Sequence, residues 1–126
     1  MASYYLDENN KIRPELLESE AEKQAQKFSG LNTTQLRKFF NEVKALEKRL
    51  KDYSYSDEYF NELIPLIKML KAKASYAYGR NNISLTFKNF IIENIDKIKS
   101  KNDFKAFILY FEAIVGYFYG LNNVKR

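Results

Sequence analysis

The sequence predicts an all-α fold, a compact bundle of about five helices, and three observations predict it. Only 4 Gly and 2 Pro punctuate 126 residues, while Lys, Glu, Leu, Ala and Asn are abundant, so helix formers far outweigh helix breakers. Apolar residues make up 45% of the chain and charged residues 29%, the balance of a sequence that folds around a core. Within long blocks the apolar residues recur at three-and-four spacing, the period of a helix face. A chain of this length buries about two-thirds of its unfolded surface in one core. The expected organisation is a flexible lead over residues 1–13 and a single helical domain over 14–126.

Each helix has its own signals. Residues 1–13 carry turn formers without a sustained period. Pro14 suits a first helical turn, and Leu16, Leu17, Ala21, Gln24 and Phe28 follow until Ser29-Gly30 stops the run. The strongest start is Leu31 to Leu36: Asn32 can cap, Gln35 can reach back to it, and Leu31 can staple onto Leu36. Leu36, Phe39, Phe40, Val43, Leu46 and Leu50 then form one apolar face, ended by Asp52-Tyr53-Ser54-Tyr55-Ser56.

A third helix is predicted from about Asp57 to Tyr78, with Gly79 as a left-handed cap. Pro65 interrupts it, by a kink or by a split, because proline lacks an amide donor and clashes with the preceding turn. Ser84 or Asn82 can cap a fourth helix bearing Leu85, Phe87, Phe90, Ile91, Ile95 and Ile98. Ser100 with Asp103 begins a fifth, which is apolar nearly all round through Phe104, Phe107, Ile108, Phe111, Val115 and Phe118 and a flank of Tyr110, Ile114, Tyr117 and Tyr119. Such a helix belongs at the centre of a bundle or in a subunit contact.

Cys and His are both absent, which removes disulfides, thiolate and imidazole metal ligands, Cys nucleophiles and His-based triads. The expectation is a chain with no catalytic residue, no metal site and no cofactor. A metal-dependent nuclease would need carboxylates, and Glu42, Glu47, Asp57, Glu58 and Glu62 are available. They are interspersed with bases, however, and no spacing gathers two or three of them inward. No charged, then apolar, leader opens the chain, and no apolar stretch approaches the roughly 20 residues that span a bilayer. A cytoplasmic protein with no membrane partner is expected.

The 21 Lys and Arg against 16 Asp and Glu give a net charge of +5, which favours a polyanionic partner. The excess is local. Residues 31–52 hold six bases (Arg37, Lys38, Lys44, Lys48, Arg49 and Lys51) against three acids. A second block holds Lys68, Lys71, Lys73 and Arg80 with no acid between. Arg37, Asn41, Lys44, Lys48 and Lys51 fall on one stripe of the second helix. Charge runs are usually solvated faces, but a basic row at helical pitch can also follow a phosphodiester backbone without reading its sequence. Tyr53, Tyr55, Tyr76 and Tyr78 lie near the basic blocks; aromatics so spaced are more often core or rim residues than stacking platforms.

The stretch Leu31-Asn32-Thr33-Thr34-Gln35-Leu36-Arg37-Lys38-Phe39-Phe40-Asn41-Glu42-Val43 resembles the characteristic helix start of the small-subunit family of type III-A CRISPR effector complexes. Leu70-Lys71-Ala72-Lys73-Ala74-Ser75-Tyr76-Ala77-Tyr78-Gly79-Arg80 resembles that family's second marker, a Lys-x-Tyr-x-x-Gly-Arg element. The resemblance implies a non-catalytic helical subunit of an RNA-guided antiviral complex, present in several copies. Its implied partners are guide RNA and target RNA, the backbone and large signature subunits, and other copies of itself. Cutting falls to those other subunits. Carried over by position, Arg37, Lys38, Lys71, Lys73 and Arg80 would face nucleic acid; Asn41, Lys44 and Lys48 join them on geometry alone. The alternative is a free-standing DNA-binding helical protein, with the Ser29-Gly30 break imitating a helix-turn-helix; against it, the first helix is acidic and would abut the DNA backbone.

Overall fold

Local chemistry decides where the chain turns. The computed structural model describes residues 3–28 and 30–122 and contains α1 (Ser19–Lys27), α2 (Thr33–Asp52), α3 (Asp57–Gly79), α4 (Leu85–Lys97) and α5 (Lys101–Asn122). A 3-10 turn, Pro14–Leu17, precedes α1. The all-α bundle of about five helices is therefore observed. The expected first helix divides at Glu18 into that turn and α1.

The caps follow their predicted residues. Asn32 Oδ1 accepts from the Gln35 amide at 3.2 Å and opens α2. Ser56 and Ser84 do the same for α3 and α4, accepting from the amides of Tyr59 and Phe87 at 3.1 Å. At α5 two side-chain bonds hold the start. Ser100 Oγ accepts from the Asp103 amide at 3.1 Å, and Asp103 Oδ2 accepts from the Lys99 amide at 2.9 Å.

The sequence leaves the course of the chain at Pro65 open, and the structure decides it. The helix around Pro65 does not split, because α3 runs 23 residues through it. Its buried stripe, Tyr59, Phe60, Leu63, Ile67, Leu70, Ala74 and Ala77, spans both sides of the proline, and packing on that scale outweighs one lost amide donor. Nor is Gly79 the left-handed cap. It stays helical, and Asn81 takes the positive φ, 62°, while the amides of Asn82 and Asn81 bond the carbonyls of Ala77 and Tyr78 at 2.9 Å. That Schellman closure needs a left-handed residue two positions after the helix, and asparagine tolerates it. Ser54 closes α2 the same way, at φ 58°.

The front of the chain packs on the core. Residues expected to lead in flexibly form a small loop closed by an antiparallel bridge between Leu6 and Ile12. Tyr5 and Leu6 are buried in the common core. Tyr5 Oη donates to Asn94 Oδ1 at 2.8 Å, so an aromatic anchor and a buried polar partner hold a segment that has no period of its own. Helix α5 ends at Asn122; Ser29, expected with Gly30 to stop the first helix, lies outside the described residues.

Helix α5 is the axis of the bundle. It packs against α1, α2 and the 3-10 turn, while α3 packs on α4 and α2. Phe104, Phe107, Ile108, Tyr110, Phe111, Ile114 and Phe118 are all buried, which is why it reads as apolar nearly all round. The reading that no stretch approaches a membrane span is corrected as well, since α5, at 22 residues, is long and apolar enough to cross one. Burial by its neighbours accounts for that composition. The core is aromatic at its centre. Phe28 meets Phe87 and Phe90 edge-on, with centroids 5.1 and 5.2 Å apart, and Phe90 and Phe40 meet Phe111 at 5.6 and 5.4 Å.

Candidate nucleic-acid interface

The basic residues sit where two helices form a hairpin. The four residues Tyr53 to Ser56 join α2 to α3, and so short a connection lays the helices side by side in opposite directions. The apolar positions of α2 turn inward, and this leaves Gln35, Lys38, Glu42, Ala45 and Arg49 in a row beside α3, at alternating spacings of three and four. Leu66, Met69, Lys73 and Tyr76 form the facing row. Between the rows runs a furrow made of two adjoining spaces of about 360 and 370 Å³ that share Glu42, Met69 and Lys73.

Across the furrow Lys73 Nζ lies 3.2 Å from Glu42 Oε2, and this pair ties the helices together near mid-length. At one end the furrow continues past Gln35 and Asn82 to the loops at Gly30 and Asn81. A shoulder on α2, made of Thr34, Arg37, Lys38 and Asn41, opens beside it. Among the described residues, furrow and shoulder together are lined by Arg37, Lys38, Arg49 and Lys73 against one acid, Glu42. The surface between the charges is apolar: Met69 is 50% exposed and Tyr76 66%.

The eight residues predicted from sequence divide among three faces. Lys38 and Lys73 line the furrow, and Arg37 and Asn41 line its shoulder. Arg37 is also braced from α5, donating to Tyr119 Oη at 3.2 Å with its guanidinium 5.9 Å from that ring. Arg80, just past α3, donates to Tyr76 Oη at 3.2 Å. The other three face elsewhere. Lys44 bonds Glu47 at 2.8 Å and lies 3.9 Å from Glu112 of α5, and the Glu47 hydrogen bond raises its pKa. Lys48 meets Asp52 at 3.4 Å. Lys71 turns to α4 and bonds Asp96, whose carboxyl is held below its ordinary value by that hydrogen bond.

Two consequences follow. The single stripe Arg37-Asn41-Lys44-Lys48-Lys51 does not act as one row, because carboxylates from α2 and α5 interleave with it. The repulsion along that stripe is thus relieved inside the chain, without an anion. Sequence reasoning also missed Gln35, Arg49, Met69, Tyr76 and Asn82 as furrow residues. A signal for two of them, Gln35 and Arg49, existed in the three-and-four spacing of Gln35, Lys38, Glu42, Ala45 and Arg49, one position out of phase with the stripe Arg37-Asn41-Lys44-Lys48.

The carboxylates considered for metal chemistry are dispersed. Glu42 pairs with Lys73, Glu47 with Lys44, and Asp57 with Lys101 at 3.2 Å, while Glu58 and Glu62 are exposed. Among the described residues no three acids come together in a way that could hold a metal ion.

No curated protein and no solved structure matches the chain. A family model does: Csm2 Type III-A matches residues 11–121, a span that takes in the furrow, its shoulder and all five helices. The chain belongs to the Csm2 family, the small subunits of type III-A CRISPR effector complexes.

Proposed function

We propose that this subunit lines the RNA path of its complex, holding guide RNA and target RNA by their phosphates without reading their sequence and without cutting them. The observation that carries this reading is the furrow between α2 and α3, where four bases and one acid border an open channel. A phosphodiester strand laid there releases counterions as Lys38, Lys73, Arg37 and Arg49 replace them, with Arg80 close by against Tyr76, and such binding is indifferent to base identity. Asn41 adds a neutral hydrogen-bonding group on the shoulder. Lys44, Lys48 and Lys71 contribute less, because they lie off the furrow and pair with Glu47, Asp52 and Asp96; Lys73 lines the furrow, and RNA displaces Glu42 from it.

In this reading the backbone and large subunits do the chemistry, and the assembly works in the cytoplasm. Copies of the chain stack on one another through exposed apolar residues outside the furrow, among them Leu85, Leu109 and Leu121.

The test is a salt titration of the purified chain against single-stranded RNA and duplex DNA. Affinity for single-stranded RNA should fall with salt, Lys38→Ala should flatten that log-log slope by about 0.7 for its lost phosphate contact, and Lys73→Ala should flatten it by less while Glu42 holds that lysine. A preference for duplex DNA with base specificity would instead favour a free-standing DNA-binding protein.

A further inference from the structure

The four tyrosines near the basic blocks are not equivalent once folded. Tyr53 lies flat on Tyr59, with centroids 3.8 Å apart and planes 12° from parallel, so one of its faces is spent. Lys105 sits 4.4 Å from the ring of half-buried Tyr55, and Lys88 sits 4.9 Å from the ring of Tyr78. Tyr76 differs. It is the most exposed large apolar side chain among the described residues, at 66%, and it lines the furrow.

Its orientation is set from behind. Arg80, one turn further along, donates to Tyr76 Oη at 3.2 Å and places its guanidinium 5.6 Å from the ring centroid. A ring fixed by a cation loses little freedom when a second planar group settles on it. The space beside it, about 360 Å³, is lined by Met69, by Lys38 and Lys73, by Gln35 and Asn82, and by Glu42, which pairs with Lys73 and which a phosphate would displace. That combination of an aromatic face, two cations and two amides matches the parts of a nucleotide: base plane, phosphate, and base edge.

We propose that Tyr76 is a stacking platform for one unpaired nucleobase of a single-stranded RNA, seated in the furrow with its flanking phosphates on Lys38 and Lys73. This rests on the RNA-lining reading and adds to it a contact that salt does not govern. Charge selects the occupant: a protein helix could cover Met69 and Tyr76, but the bases at the rim favour an anionic strand.

The experiment measures the affinity of the full chain for a single-stranded RNA and for the same strand carrying abasic positions, over a range of salt concentrations. Tyr76→Ala, an exposed helical position that accepts alanine readily, should weaken binding of the intact strand about 5- to 150-fold, the range of one base–aromatic stack. The salt slope should stay unchanged, Tyr76→Phe, which keeps the ring but loses the Arg80 hydrogen bond, should bind far closer to the parent than Tyr76→Ala does, and the abasic strand should not distinguish parent from Tyr76→Ala. If Tyr76→Ala binds intact RNA as tightly as the parent, the stacking role is overturned while the lining role stands. A flatter slope in that variant would also overturn it, by showing that phosphate contacts were lost instead. If the parent chain binds no RNA, both readings fail together. Loss of co-purification with a neighbouring subunit, at unchanged RNA affinity, would assign the furrow to protein and overturn the stacking role.

Discussion

Tyr5 and Asn94, 89 residues apart, share a buried hydrogen bond: Tyr5 Oη donates to Asn94 Oδ1 at 2.8 Å, and the Asn94 amide group donates to the Phe90 carbonyl at 2.8 Å. The pair fastens the front of the chain to α4. Removing the hydroxyl leaves Asn94 Oδ1 buried without its donor, so Tyr5→Phe should cost about 1–3 kcal/mol. Tyr5→Ala should cost about 3–5 kcal/mol, since the ring also leaves a cavity. Urea unfolding checks both; the midpoint should move with little change in slope.

Alkaline pH should unfold this protein through its tyrosines. Burial pushes the pKa values of Tyr5 and Tyr110 well above the ordinary 10.0, so the folded state keeps both phenols protonated where the unfolded chain would ionise them. A raised folded pKa means that stability is intact below about pH 10 and declines above it, by up to about 1.4 kcal/mol per pH unit for each group. Phenolate absorbance followed with rising pH should show Tyr5 and Tyr110 ionising only as the fold is lost. Early ionisation of all ten tyrosines would contradict their burial.

Pro65 is exposed and sits inside α3, where its ring faces the carbonyl of Asn61 and offers that carbonyl no donor. Pro65→Ala should restore the bond and raise stability by about 1–2 kcal/mol, after allowing for the greater freedom that alanine gives the unfolded chain. A higher melting temperature, with unchanged helical circular dichroism, is the expected result.

Glu42 is the one acid lining the furrow among the described residues, and it engages Lys73. Glu42→Gln removes a charge that repels RNA and frees a lysine to meet phosphate, so single-stranded RNA should bind more tightly and with a steeper salt slope. Lys71→Ala, on the α4 side, should change the slope less than Lys73→Ala does. Equal effects at the two positions would spread the RNA beyond the furrow.

Several features were readable before folding because they depend on neighbours in the chain. The caps at Asn32, Ser84 and Ser100, the apolar faces and the dense basic run after residue 31 are local. Each was found where the residues placed it. The front segment was not readable, because Tyr5 is held by Asn94 and packs near Phe107, and no local period announces a partner so distant. Continuity through Pro65 was likewise undecidable locally, since the local penalty argues for a break and only long-range packing offsets it.

By itself the sequence determined that this is a helical, basic chain with no imidazole or thiol chemistry, and where its charge is concentrated. Tertiary structure alone decided how that charge is divided: Lys38 and Lys73 meet across one furrow, while Lys44, Lys48 and Lys71 turn to carboxylates on other faces. The physical reason is that helical spacing places a residue on a face, but the neighbouring helix decides whether that face meets an acid, a ring or open solvent.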